Sequence, residues 1–163
     1  IDVLKQWKKR FTSDLSPINH NESDKDILVA YYLLYAILLE PKELKKEKIS
    51  NIHKVLDYIL ERTIQAFDAN DLCYGPYNVC EYLAGLVKLV VNDTFLIHIF
   101  SRENIFDLFI DKFFLFNSVC ESTTLNSIIC SSLYSIFWSI SFLPDYNAKL
   151  KSNERLLIIF KNY

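Results

Sequence analysis

The sequence predicts an all-α protein assembled from repeated helical units, and three observations carry this prediction. First, one pattern occurs twice, about fifty residues apart, as in helical solenoids: residues 84–92 followed by 99–104 match residues 132–140 followed by 149–154. Second, 2 Gly and 4 Pro are too few for the turns of a many-stranded sandwich or barrel. Third, no alternation of apolar and polar residues extends beyond a few positions, so no strand is predicted.

The N-terminal part of the chain predicts three helices separated by polar segments. Residues 2–11 form a short amphipathic pattern, and the uncharged run within residues 26–40 indicates a helix buried on most sides. A charged connector, residues 42–48, precedes a helix predicted at residues 51–68, with Ser50 as its N-cap. The apolar positions of that helix follow helical spacing: Ile52, Val55, Leu56, Ile59, Leu60, Ile64 and Phe67.

The C-terminal part follows the clearest break in the chain, residues 69–76 (ANDLCYGP). Pro144 and Asp145 are predicted to form a turn before the last helix. The helices predicted here are residues 77–91, 94–100, 105–116, 123–143 and 153–163. We therefore expect one helical-repeat domain over residues 1–163, and we expect its first helix to be the tail of a preceding unit in a longer chain.

Residues 122–144 carry no charge over a length that could span a bilayer. Many hydroxyl side chains dilute the stretch, however, and the serines at 127, 131, 135 and 139 recur every four residues, which places them on one helix face. A helix with apolar side chains toward its neighbours and small side chains on one face is typical of the interior of a repeat protein. No membrane insertion is predicted.

Charge and cysteine usage narrow the function classes further. The 18 basic and 20 acidic residues give a net charge of -2 and form no basic stripe, which excludes a nucleic-acid binder. The four cysteines include no C-x-x-C pair and lie mostly in apolar helical stretches, where a free thiol behaves as a small hydrophobe. We therefore expect reduced thiols in a cytoplasmic protein.

The sequence contains no recognised catalytic or metal-binding pattern. His20, His53 and His98 are isolated, without a ligand partner at the spacing of a metal motif. The chain also has no glycine-rich phosphate loop and no nucleophile elbow. The sequence thus predicts neither an enzyme nor a metal or cofactor site.

The repeated pattern resembles the armadillo repeat. Residues 136–141 (IFWSIS) are similar to the Leu-Trp-Asn-Leu-Ser stretch of the third armadillo helix, and residues 146–150 to the Asn-rich lead into the next helix. The resemblance extends over residues 24–163. Armadillo units carry Gly between their first two helices, whereas this chain has residues 102–104 at that place. The units of this chain are also longer than armadillo units. A HEAT-like stack is the alternative.

The resemblance implies a right-handed α-solenoid of about three repeats whose third helices line a concave groove. The candidate groove residues are Tyr31, Tyr35, Asn78, Glu81, Lys88, Asn92, Tyr134 and Trp138. The implied function is a non-enzymatic scaffold that binds a partner peptide or protein surface. The alternative is a regulatory or autoinhibitory segment of a larger signalling protein or enzyme. Exposed ends of a repeat stack would also allow homo-oligomers to form.

Two residues are left with two interpretations each. Gly85 lies inside a predicted helix, where it costs about 1 kcal/mol relative to Ala; it serves either close helix packing or the approach of a partner backbone. Trp138 belongs either to the core or to an open groove. Burial in the structure distinguishes these interpretations.

Overall fold

A computed structural model describes residues 52–118 and 123–161 of the chain. The helices predicted at residues 2–11 and 26–40, the connector at 42–48, and the candidate residues Tyr31 and Tyr35 lie outside this range. The first of the three predicted repeats is therefore mostly outside the described residues.

The described residues are mostly helical, which confirms the all-α prediction in its coarse form. They comprise seven helices and one small hairpin, in the following order: α1 (Ile52–Asp68), β1 (Cys73–Tyr74), β2 (Tyr77–Asn78), α2 (Val79–Leu89), α3 (Asp93–Phe100), α4 (Ile105–Ser118), α5 (Thr124–Ile140), α6 (Pro144–Ser152) and α7 (Glu154–Lys161).

The segment predicted as a plain break contains a two-stranded antiparallel hairpin. Tyr74 pairs with Tyr77, so Gly75 and Pro76 form the turn. Gly75 has a φ of 60°, a conformation that glycine adopts without steric cost. The prediction that a helix begins at residue 77 was wrong by two residues, because Tyr77 and Asn78 belong to the strand and Asn78 caps the helix that follows.

The predicted turn at Pro144 and Asp145 was also wrong. Pro144 is the first residue of α6, a position where its missing N–H costs no hydrogen bond and its fixed φ suits the helix. No residue of α6 is fully buried, so the helix left no apolar period in the sequence by which it could be recognised.

The order of helices repeats. The helices α2 and α5 are each followed by a short helix, α3 or α6, and then by a helix that contributes to the core, α4 or α7. Contacts between the elements recur at a nearly constant separation along the chain. Lys112 Nζ lies 3.0 Å from Asp68 Oδ1, and Arg155 Nη1 lies 3.1 Å from Asp111 Oδ1; both pairs are 44 residues apart. The Tyr146 hydroxyl donates to the Phe100 carbonyl at 2.6 Å, over 46 residues.

One hydrophobic core joins the helices. It contains buried side chains from α1 to α5 together with Leu156 of α7. Its largest members are Tyr82, Phe109 and Phe137. Tyr82 also donates a hydrogen bond from its hydroxyl to the Tyr74 carbonyl (2.8 Å), which ties the hairpin to the core. Gly85 is buried, as the interpretation of close helix packing requires.

Candidate functional site

A groove of about 760 Å³ lies along α5 and is bordered by the end of α4 and by α6 and α7. We call it the α5 groove. Its volume is in the range of pockets that hold ligands. Its lining residues are Phe113, Asn117, Cys130, Ser131, Tyr134, Ser135, Phe137, Trp138, Ser141, Asn147, Leu150, Lys151 and Leu157.

Large aromatic side chains stand exposed at this groove. Trp138 is 61% exposed and Tyr134 is 45% exposed, one helical turn apart on α5. Phe142, the next turn along, is 70% exposed and packs edge-to-face on Trp138, with ring centroids 5.5 Å apart. Trp138 is therefore a surface residue. Of its two interpretations, the structure excludes the core.

The amphipathic pattern of α5 determines which side chains reach the groove. Its buried side is formed by Ile129, Leu133, Ile136, Phe137 and Ile140. Thr123 caps the helix by accepting a hydrogen bond from the Asn126 N–H at 3.1 Å. The serines predicted to share a face line the groove at positions 131 and 135. Because they are small, they leave the aromatic rings accessible.

Two serine hydroxyls of the lining donate to backbone carbonyls of α5. Ser135 Oγ donates to the Ser131 carbonyl at 2.9 Å, and Ser141 Oγ donates to the Trp138 carbonyl at 2.7 Å. Asn147 donates from Nδ2 to the Ser141 carbonyl at 2.7 Å, which fastens α6 to the end of α5. A ligand would meet the Ser135 and Ser141 hydroxyls as hydrogen-bond acceptors.

Three other lining groups are donors with capacity to spare. In the part of the chain that the structure describes, the Trp138 indole N–H, the Asn117 amide and the Lys151 ammonium have no hydrogen-bond partner. The lining also includes no Asp or Glu. The groove is therefore apolar along its length, rich in donors, and positive at Lys151.

Cys130 is the one thiol on the groove wall. Its Sγ lies 3.9 Å from the Phe113 carbonyl, and burial raises the pKa of the thiol above its ordinary 9.0. Since the thiolate is the reactive form, the thiol contributes a small apolar surface at neutral pH.

The other candidate residues within the described range are not brought to this groove. Asn78 and Glu81 form a capping box: Asn78 Oδ1 accepts from the Cys80 N–H (2.8 Å), and Glu81 Oε2 accepts from the Asn78 N–H (2.8 Å). Asn92 is only 5% exposed and caps α3 by accepting from the Thr94 N–H at 3.0 Å. Lys88 is exposed in the last turn of α2. Asn78, Glu81 and Asn92 thus serve to begin the helices α2 and α3.

Two of the histidines are not isolated as the sequence suggested. His98 Nε2 lies 2.8 Å from Asp57 Oδ1, and the His53 ring lies 4.3 Å from the His98 ring. Arg102 Nε pairs with the same Asp57 oxygen at 3.0 Å. The partners are far apart in sequence, so spacing could not reveal them. Over residues 52–118 and 123–161, no group of three or more metal-ligating side chains is present.

Sequence reasoning named Tyr134, Trp138 and the serines at 131 and 135, but not the rest of the lining. Asn117, Asn147, Lys151 and Leu157 come from three different helices, and only the packing of those helices brings them together. The one signal available was the serine period on α5, which marks the face that turned out to be open.

Neither a protein family, nor a curated protein, nor a solved structure matches this chain. No helix within the described ranges is long and apolar enough to cross a membrane. The geometry and chemistry of the α5 groove are therefore the guide to its function.

Proposed function

We propose that this chain is a non-enzymatic scaffold of armadillo-like helical repeats that binds a partner protein through the α5 groove. The observation that carries the proposal is the exposure of Trp138 and Tyr134 in the lining of one groove, with Phe142 exposed beside Trp138. Water-exposed aromatic clusters are unfavourable unless something covers them, and contiguous apolar patches on proteins usually mark interaction sites. Trp and Tyr are also the residues most enriched among binding hot spots.

The recurring contact separation supports the repeat architecture within this proposal. In a solenoid each unit contacts only its neighbours, so contacts between units recur at one separation along the chain. The ion pairs Asp68–Lys112 and Asp111–Arg155 and the hydrogen bond between Tyr146 and Phe100 follow that rule. A right-handed superhelix of such units is the arrangement we propose.

The chemistry of the lining favours binding over catalysis. The groove carries aromatic and aliphatic side chains, hydroxyls, amides, one ammonium group and the Cys130 thiol, whose pKa is raised by burial. Its lining includes no carboxylate or imidazole. Acid–base catalysis requires a titratable group near neutral pH. Cys73, Cys80 and Cys130 are free thiols, which suits the cytoplasmic location that we propose for the protein.

Peptide display on the folded chain tests the proposal. Binders selected from a random library would be measured against wild type, Trp138→Ala and the matched control Ile128→Ala. Ile128 is another exposed apolar residue of α5, but it does not line the groove. We expect Trp138→Ala to weaken binding about tenfold or more, while Ile128→Ala changes it less than about twofold.

Folding must be measured for both variants alongside binding. Since both side chains are exposed, we expect each substitution to change the free energy of unfolding by about 0.5 kcal/mol or less. If no selected peptide depends on Trp138, or if both variants weaken binding equally, the α5 groove is not the binding site and the proposal fails.

A further inference from the structure

The helices α2 and α5 occupy equivalent places in the order of helices, because each leads into a short helix. Aligned at their last residues, Leu89 corresponds to Ile140, Leu86 to Phe137 and Tyr82 to Leu133. All six side chains are buried. The repeat in the sequence instead aligns Leu89 with Phe137. This residue lies about one helical turn before Ile140, with which Leu89 is aligned here.

The two helices differ in burial on the side next to these six residues. On α2 it is covered: Val79, Leu83 and Val90 are core residues. Their equivalents on α5 are Cys130, Tyr134 and Ser141, and all three line the α5 groove. At the central position Leu83 is 0% exposed and Tyr134 is 45% exposed.

The helix α5 packs on α2 close to this side. The Cys80 thiol lies 4.0 Å from the Leu125 carbonyl at the start of α5. Cys80 corresponds to Ser131, which lines the α5 groove. The groove therefore lies where a further long helix would pack if the arrangement of α2 and α5 were repeated once more.

From this equivalence we infer that the α5 groove binds an amphipathic α-helix of a partner protein, which packs along α5 as α5 packs along α2. This inference rests on the proposed function and adds the conformation and chemistry of the ligand. The bound helix carries apolar side chains at i, i+3 or i+4, and i+7 toward the groove, and an Asp or Glu where it passes Lys151.

The hydrogen-bonding capacity of the groove favours a helix over an extended segment. An extended peptide needs partners for its backbone N–H and C=O groups when it is buried. Four lining residues cannot supply them at all: Phe113, Phe137, Leu150 and Leu157. The donors that lack a partner among the described residues, on Asn117, Trp138 and Lys151, are too few for a backbone that presents a donor and an acceptor at every residue. A helix satisfies its backbone internally and presents only side chains.

The charge of the groove fixes one more property of the ligand. Lys151 is the one charged side chain of the lining, and no described residue pairs with it. A basic residue at that point of the ligand would meet a like charge, whereas a carboxylate would gain an ion pair. Such partly exposed pairs contribute about 0.2–1 kcal/mol, so the acidic residue adds orientation more than affinity.

Two display libraries of equal composition test the inference. In one, the apolar residues of peptides about 15 residues long follow helical spacing; in the other, they alternate as in a strand. We expect Trp138-dependent binders to come from the helical library and to gain helical circular dichroism on binding. A proline placed at the centre of such a binder should weaken it more than about tenfold, because proline breaks a helix.

The charge is tested with Lys151→Glu and its matched control Lys149→Glu. Lys149 lies on the same helix, where its ammonium sits over the Phe106 and Tyr146 rings outside the groove lining. For a binder with Asp or Glu at one end, we expect Lys151→Glu to weaken binding about two- to fivefold and Lys149→Glu to have a smaller effect.

The outcomes separate this inference from the proposed function. Trp138-dependent binders that come only from the alternating library would overturn the bound helix and leave the scaffold function standing. Absence of any Trp138-dependent binder from both libraries would overturn both. A dimer of the free chain that is lost in Trp138→Ala, seen by sedimentation equilibrium, would make a second copy the occupant and overturn the partner helix.

Discussion

The helices α2 and α5 have the same place in their units, but one is covered on both sides and the other on one side only. On α2, the side that carries Val79, Leu83 and Val90 is buried. On α5, the equivalent side carries Cys130, Tyr134 and Ser141, and Trp138 is exposed next to them. The same place in the repeat thus serves packing in one unit and, in our proposal, recognition in the next.

Equivalent positions should respond differently to truncation, and this is the largest effect we expect. Leu83→Ala removes a fully buried side chain and should cost about 2–5 kcal/mol of unfolding free energy. Tyr134→Ala removes a half-exposed one and should cost about 1 kcal/mol or less. Urea unfolding followed by circular dichroism measures both. Equal losses would mean that α5 is covered on this side in solution, and the comparison would fail.

The capping residues on either side of α2 provide a second, smaller test. Asn78→Ala and Asn92→Ala each remove the cap of a helix, so each should lower the unfolding free energy by about 1 kcal/mol. Neither side chain lines the α5 groove, so affinity for a Trp138-dependent peptide should stay unchanged. Loss of affinity in a variant that remains folded would place the binding site on α2, as the sequence suggested.

The smallest expected effect concerns Cys130. Because burial raises the pKa of this thiol above 9.0, its alkylation by iodoacetamide should reach half of its maximal rate above pH 9.0, as followed by mass spectrometry of the Cys130 peptide. A peptide bound in the groove should slow the reaction further. Alkylation with a midpoint at or below pH 9.0 would contradict the burial of the thiol.

The same shift links Cys130 to stability. The neutral thiol is favoured in the folded state, so the folded chain holds this proton to higher pH than the unfolded chain does. The stabilisation of the folded chain by this difference in pKa is present in full below pH 9.0 and is lost as the pH rises through the raised pKa. A Cys130→Ser variant should show a weaker decline of stability on that alkaline side.

How much of the fold the sequence could predict depended on burial. The helices α1, α3 and α4 were predicted to within one or two residues, because each buries an apolar stripe that leaves a period in the sequence. The helix α6 has no fully buried residue and left none. The hairpin is too short, at two residues per strand, to show alternation.

The candidate site was predictable only where one helix carries it. Tyr134 and Trp138 lie on the face that the serine period marks, so they could be found. Lys151 and Leu157 reach the groove through the packing of α6 and α7, which no local pattern encodes. Asn78 and Asn92 cap helices in the structure. A capping side chain and a ligand-binding side chain look alike in sequence, and only their hydrogen bonds distinguish them.

The fluorescence of Trp138 tests the central claim most directly. The chain has 2 tryptophans, so a Trp7→Phe variant makes Trp138 the only one, and a tryptophan-free peptide selected for dependence on Trp138 serves as the ligand. Our account predicts strong quenching of the free chain by acrylamide, with protection and a blue shift on saturation by the peptide. An indole already protected in the free chain, or equally quenched with peptide bound, would contradict an open groove that its partner closes.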